Sequence, residues 1–127
     1  MSLLPIDTGV DHVRDLAALL PASVRDRIEP ELLTEYPSAA ALRVLATIRD
    51  ERWTQFVYAA RIDWAAMLAF GRGDASHSVA VRIELAASLA GALGAAPDLL
   101  KAAYSLDQNN FAAFVDALRI AREGLER

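Results

Sequence analysis

Polar and apolar positions divide most unevenly between Trp53 and Ala96. This stretch carries six formal charges: Arg61, Asp63, Arg72, Asp74, Arg82 and Glu84. Its apolar residues recur every three or four positions, which is the helical period. The pattern predicts two long apolar helices, joined by the turn Gly71-Arg72-Gly73-Asp74. The first covers about Glu51 to Phe70, and Gly71 and Gly73 end it. Asp74 or Ser76 opens the second, a central helix over 76–94 that Gly94 closes. Its Val79–Leu93 portion is apolar on nearly every face, so it belongs in the middle of the fold.

The flanking regions also read as helix. Thr8, answered by Asp11, caps a first helix over Gly9–Leu20, and Pro21 stops it. Its stripe is Val10, Val13, Leu16, Ala17 and Leu20. Ser23 caps a short turn over Val24–Glu29. Pro30 fits the first position of a short helix ending near Tyr36, and Tyr36-Pro37 closes that segment. This polar region reads as a partly exposed connector. Ser38 caps a helix over Ala39–Arg49, buried through Leu42, Leu45 and Ile48. Later, Pro97-Asp98 opens a helix to Leu106, and Asp107 or Asn109 caps the last one, Asn110–Leu125.

A shift of 58 residues aligns Trp53-Thr-Gln-Phe-Val-Tyr-Ala-Ala-Arg-Ile62 with Phe111-Ala-Ala-Phe-Val-Asp-Ala-Leu-Arg-Ile120. Five of the ten positions are identical. The expected architecture is therefore a single all-α domain, 1–127, of six to seven helices. N-terminal helices occupy 8–36, a first hairpin 38–70, the buried central helix 76–94, and a second hairpin 97–126. This helical-hairpin pattern resembles that of tetratricopeptide and related helical-repeat proteins. The resemblance is one of pattern only. The spacing differs from their period of about 34, and their fixed Trp-Leu-Gly-Tyr positions are not matched.

Composition sharpens this picture. The apolar fraction is 54%, and 127 residues suffice for one domain with a core. So large an excess must fill that core or meet a partner, which points to a homodimer or another protein complex. Net charge is −4 with no basic block, against nucleic-acid binding and against an anionic membrane surface. Arg25, Arg27, Arg43, Arg49 and Arg52 are the nearest approach to a basic face, and acids lie among them. Arg outnumbers Lys twelve to one, which reads as the codon usage of a high-GC, bacterial-type genome. The lack of cysteine excludes disulfides and thiolate chemistry. Neither a signal peptide nor a membrane span is expected, so the cytoplasm is the expected location.

Candidate chemistry is sparse. There is no glycine-rich phosphate loop, no His-Glu-x-x-His, no nucleophile elbow and no Glu-x-x-His pattern. His12, flanked by Asp11 and Asp15, lacks the ligand spacing of a helical metal pair. His77 shares a helical face with Val81, Glu84 and Ser88, but His77 and Glu84 lie two turns apart, about 10 Å. Asp63 is the odd residue, a carboxylate on an apolar stripe. A buried pair with Arg82 across the glycine turn would neutralise it, and losing Asp63 would then cost several kcal/mol. Ala87, Ala90, Gly91 and Gly94 give the central helix a small-residue side. Arg72-Gly73-Asp74 spells an integrin-binding tripeptide, which reads here as turn chemistry.

These observations point to a non-catalytic helical module for protein interaction or self-association, with no cofactor and no metal. Tyr36, Trp53, Tyr58 and Tyr104 are the candidate partner contacts, because interfaces favour rigid aromatic anchors. The alternative is a small-ligand-binding or enzymatic bundle, with its pocket near Asp63, Arg61 and Arg82.

Overall fold

A computed structural model describes residues 13–126. Every regular element among them is a helix, apart from an isolated antiparallel bridge between Val57 and Ile62. The α-helices are α1 (13–19), α2 (Ala22–Arg25), α3 (Pro30–Thr34), α4 (Tyr36–Leu45), α5 (Trp64–Gly73), α6 (His77–Leu89), α7 (Leu99–Ser105) and α8 (Gln108–Glu126). A 3-10 helix, Glu51–Phe56, precedes α5. The all-helical class is as expected, although the count exceeds six or seven. Thr8, Val10, Asp11 and His12 lie outside the described residues.

Helix α4 is the hub. Ala39, Ala40, Ala41, Leu42, Val44 and Leu45 are all buried. Its small side chains let neighbouring helices come close, because side-chain size at the contact sets the distance between axes. α8 and α6 both pack on α4, and α3 adjoins it. From α8 the buried stripe is Ala113, Ala117 and Ile120, one face of the helix. Pro37 sits in the first turn of α4 and opens the helix, where its missing N–H breaks no bond. Ser38, expected as the cap, lies within α4, and its hydroxyl meets the Glu35 carboxylate at 3.4 Å.

Helix α6 shares the centre with α4. It buries Val79, Val81, Ile83, Leu85, Ala86 and Ala87. α5 packs on it closely at Gly71, where an added Cβ would stand 3.2 Å from Ile83 Cγ2. That glycine therefore serves helix contact, and α5 runs on through Gly73. α6 itself stops at Leu89, short of Gly94. Gly91 takes φ +73°, its N–H reaches the Ser88 carbonyl at 3.0 Å, and the Ala92 N–H reaches the Ala87 carbonyl at 2.9 Å. This is a Schellman ending, for which glycine is suited. Gly91 and Gly94 thus lie in an exposed loop beyond α6.

These contacts do not follow the expected hairpins 38–70 and 97–126. The observed neighbours are α4 with α8, α4 with α6, α5 with α6, and α7 with α6. The 58-residue alignment also joins unlike conformations. Phe111–Ile120 is continuous helix within α8, whereas Trp53–Ile62 is a 3-10 turn followed by a tight reversal. The expected long helix Glu51–Phe70 is therefore two elements. Asp50 caps the first by accepting from the Arg52 N–H at 3.1 Å, and Asp63 caps α5 by accepting from the Ala66 N–H at 3.1 Å. Position 121, the counterpart of Asp63, is alanine, so the second copy of the pattern lacks this restart signal.

Tertiary bonds hold the break open. The Arg27 guanidinium donates to the carbonyls of Thr54 at 2.9 Å and Val57 at 2.6 Å, and the Glu29 N–H donates to the Ala59 carbonyl at 2.7 Å. In a continuous helix those three carbonyls would accept from N–H groups four residues on. The segment 22–36 is thus more than a connector. It bonds to the reversal, and it buries Val24, Leu32 and Leu33 in the core. Ser23 lies inside α2, whose N-cap is Pro21.

Arg27→Ala is expected to lower stability by about 1–3 kcal/mol, because two partly buried carbonyls lose a charged donor. Urea unfolding followed by circular dichroism measures this. An unchanged midpoint would mean that water replaces the guanidinium without cost.

Candidate functional site

Helix α7 is capped by Asp98, whose Oδ1 accepts from the Lys101 N–H at 3.0 Å. Its inward side is small. Ala102, with Leu106 just after the helix, packs against Val81 and Leu85 of α6, and Phe114 of α8 closes the cluster. Its larger apolar residues point outward. Leu99 is 67% exposed, Leu100 64% and Tyr104 83%, and Leu93 in the preceding loop is 97% exposed. Leu99, Leu100, Ala103 and Tyr104 occupy one helical face by their spacing. The usual amphipathic arrangement is inverted here. Helices normally turn their bulkier apolar face to the core.

Between α6 and α7 lies a crevice of about 220 Å³, lined by His77, Ala80, Val81, Glu84, Ala96, Asp98 and Lys101. Pockets that engulf drug-sized ligands run to about 300–1,000 Å³. Its charges are largely committed to structure. Glu84 accepts from Arg72 Nε at 2.8 Å, from Arg72 Nη2 at 3.1 Å, and from the Ala96 N–H at 2.9 Å. Arg72 Nη2 also donates to the Gly94 carbonyl at 2.6 Å. The pair therefore clamps the loop into α7 against α5 and α6. Burial pushes the Glu84 carboxyl up, but the Arg72 guanidinium and the Ala96 N–H outweigh it and hold it below its ordinary value. Ser105 Oγ meets His77 Nε2 at 3.3 Å at the crevice rim. The expected row His77, Glu84, Ser88 forms no relay, since Glu84 is bound by Arg72 and Ser88 faces solvent. Among the described residues, no cluster of three or more His, Asp or Glu side chains could hold a metal ion.

Asp63 and Arg82 do not pair. Asp63 is half-buried and serves as the cap of α5. It stood out as a carboxylate on an apolar stripe because no helix passes through it. Arg82 is 8% exposed and donates to the Thr47 carbonyl at 2.9 Å, Thr47 Oγ1 at 3.0 Å, the Ser78 carbonyl at 3.2 Å and Ser78 Oγ at 3.1 Å. Burial lowers its pKa, and the nearby Asp107 carboxylate counters that. Arg61 lies 4.7 Å over the Tyr58 ring. Asp63, Arg61 and Arg82 thus have separate partners and do not converge on one another.

The four aromatic candidates also divide. Trp53 is fully buried, and its indole N–H donates to the Ile48 carbonyl at 3.3 Å, so it is core. Tyr36 is half-buried against the core. Tyr58 is 45% exposed, beneath Arg61, and Tyr104 stands freely on α7. Leu99 and Leu100 went unnoticed in the sequence. The available signal was a helical wheel on which the side of this helix away from them carries one apolar residue, Ala102. Of the arginines weighed as a basic face, Arg27 binds carbonyls, Arg43 meets Asp116 at 2.8 Å, and Arg52 meets Asp50 at 2.7 Å.

No helix among the described residues is long and apolar enough to cross a membrane. Comparisons with protein-family models, with curated proteins and with solved structures find no match.

Asp63→Ala is expected to cost about 1 kcal/mol, as a lost helix cap. Arg82→Met is expected to cost about 2 kcal/mol, because a charged donor leaves four acceptors. Thermal unfolding of both variants checks this order, and a larger loss at Asp63 would contradict these assignments. Because the Glu84 pKa is lowered by folding, its contribution is present above the ordinary value of 4.5 and lost as pH falls through the folded value. Acid titration of wild type and Glu84→Gln should therefore show the smaller loss of stability below about pH 4.5 in the variant. Equal losses would show that Glu84 does not contribute to acid unfolding.

Proposed function

We propose that this chain is a non-catalytic helical interaction module of a bacterial-type cytoplasm, which binds another protein chain through the outward face of α7. One observation carries the reading: Leu99, Leu100 and Tyr104 are each about two-thirds exposed or more on one short helix. Exposed apolar surface in contiguous patches marks contact sites, whereas isolated exposed apolar residues are ordinary. Tyr104 supplies an aromatic anchor of the kind that dominates interface energetics. The composition supports the same reading, since an apolar fraction of 54% leaves more apolar surface than the core takes in.

The crevice beside α7 supports this role better than a catalytic one. Glu84, its most buried acid, is committed to Arg72 and the backbone of the loop. Its bonds hold the approach to α7 in place, so the contact face is presented on a fixed support.

A photo-crosslinking amino acid placed at Tyr104, expressed in the source cell, tests the reading. A discrete protein adduct is expected there, with none from the same probe at Glu31, an exposed polar position. Equal labelling at both positions, or no adduct at Tyr104, would reject α7 as the contact face.

A further inference from the structure

We infer that residues 96–106 are a strap that lifts from α6 as one unit while the other helices stay folded, with the Glu84 carboxylate as its latch. The inference concerns how α7 is held, and it stands whatever α7 contacts.

The buried apolar side chains form two clusters, and α7 belongs to the smaller. The larger runs through α1 to α6 and takes in Ala117 and Ile120 of α8. The smaller joins Val81 and Leu85 of α6 to Ala102 and Leu106, with Phe114 of α8 at its edge. Leu99, Leu100, Ala103 and Tyr104 are exposed and add no burial that would hold α7 down. Segments with few buried apolar contacts open at a lower free energy than the whole fold.

Both ends of the strap permit such an opening. Before it, Ala92 and Ala95 rest on the larger cluster, and Gly94 between them takes φ +85°. After it, Leu106 is extended at φ −83° and ψ 129°. Asp107 then caps α8 by accepting from the Asn110 N–H at 2.7 Å, so α8 starts without help from α7. The bonds of α7 run within it, from the Ala102 N–H to the Asp98 carbonyl at 3.0 Å and from the Leu106 N–H to the Ala102 carbonyl at 3.1 Å. A helix of seven residues is not stable alone, so the lifted strap loses its helix and frees its amides together.

The latch sits at the first residue of the strap. Glu84 Oε1 accepts from the Ala96 N–H at 2.9 Å, and Arg72 holds that carboxylate at 2.8 Å while reaching the Gly94 carbonyl at 2.6 Å. At the far end Ser105 meets His77 at 3.3 Å. The Glu84 bond is charge-assisted, and such bonds are about twice as strong as neutral ones. Lifting the strap bares Val81 and Leu85 on α6.

Residue-resolved hydrogen exchange across a series of low urea concentrations tests this. The wild-type amides of Ala102 and Leu106 are expected to be protected roughly a hundredfold less than those of Val44 and Leu45, with one shared and shallower urea slope. Glu84→Ala keeps a good helix former in α6 and should speed exchange in α7 roughly tenfold. Arg72→Met, which removes the support of that carboxylate, should act in the same direction, and unchanged helical circular dichroism confirms that both variants fold. Arg27→Ala breaks bonds that survive the lifting, so it should speed exchange in α4 and leave α7 unchanged. If it speeds both alike, α7 opens only with the whole chain and the inference is overturned. Separate slopes for Ala102 and Leu106 would show fraying in place of a unit, and α7 exchange unmoved by Glu84→Ala and Arg72→Met would remove the latch. The Tyr104 crosslink bears on the contact face alone, so the two readings can fail separately.

Discussion

The structure depends on one constraint: α4 must be covered on nearly all sides. Six of its ten residues are buried, and three consecutive alanines lie among them. An alanine surface offers little area per residue, so its stabilisation comes from closeness of approach, which multiplies weak dispersion contacts. α8 and α6 supply that closeness from different directions. Arg43 is the one charged residue on α4, and Asp116 of α8 meets it at 2.8 Å. The ion pair fixes how α8 lies along α4 more than it adds stability, since it is partly exposed.

The second organising fact is a competition for backbone carbonyls. Helical propensity alone would carry the chain from Glu51 through Phe70. Arg27 and the Glu29 N–H take the carbonyls of Thr54, Val57 and Ala59 instead. Two aspartates make the exchange cheap, because Asp50 and Asp63 each satisfy a donor at the start of a new helix. The break lets Trp53 and Val57 turn into the core, while Phe56 meets Phe70 at 5.8 Å between ring centres.

Buried charge is handled locally in the same economical way. Arg82 is held by the hydroxyls and carbonyls of Thr47 and Ser78, which solvate a guanidinium without the geometric demands of a carboxylate fork. Glu84 is instead matched to Arg72, and the pair reaches out to the loop before α7. α6 thus anchors α4 on one side and steadies the approach to the exposed α7 face on the other. Core and exposed α7 face share one scaffold, so the face can be apolar without collapsing inward.

The sequence by itself determined the helical class, some helix starts, such as Pro30 and the Ser76 cap of α6, and the apolar stripes of α1 and α4. Those depend on local periodicity, on proline at first turns, and on side-chain caps such as Asp107, all carried by neighbours in the chain. It also singled out Asp63 as anomalous, though the physical reason is a cap and not a buried ion pair. Tertiary structure alone decided where the long apolar helix breaks, since the bonds responsible come from residues about thirty positions away. It also decided that Trp53 is core while Tyr104 is surface. Both are aromatics on apolar segments, and only the arrangement of helices around α4 and α6 determines which side of each faces water.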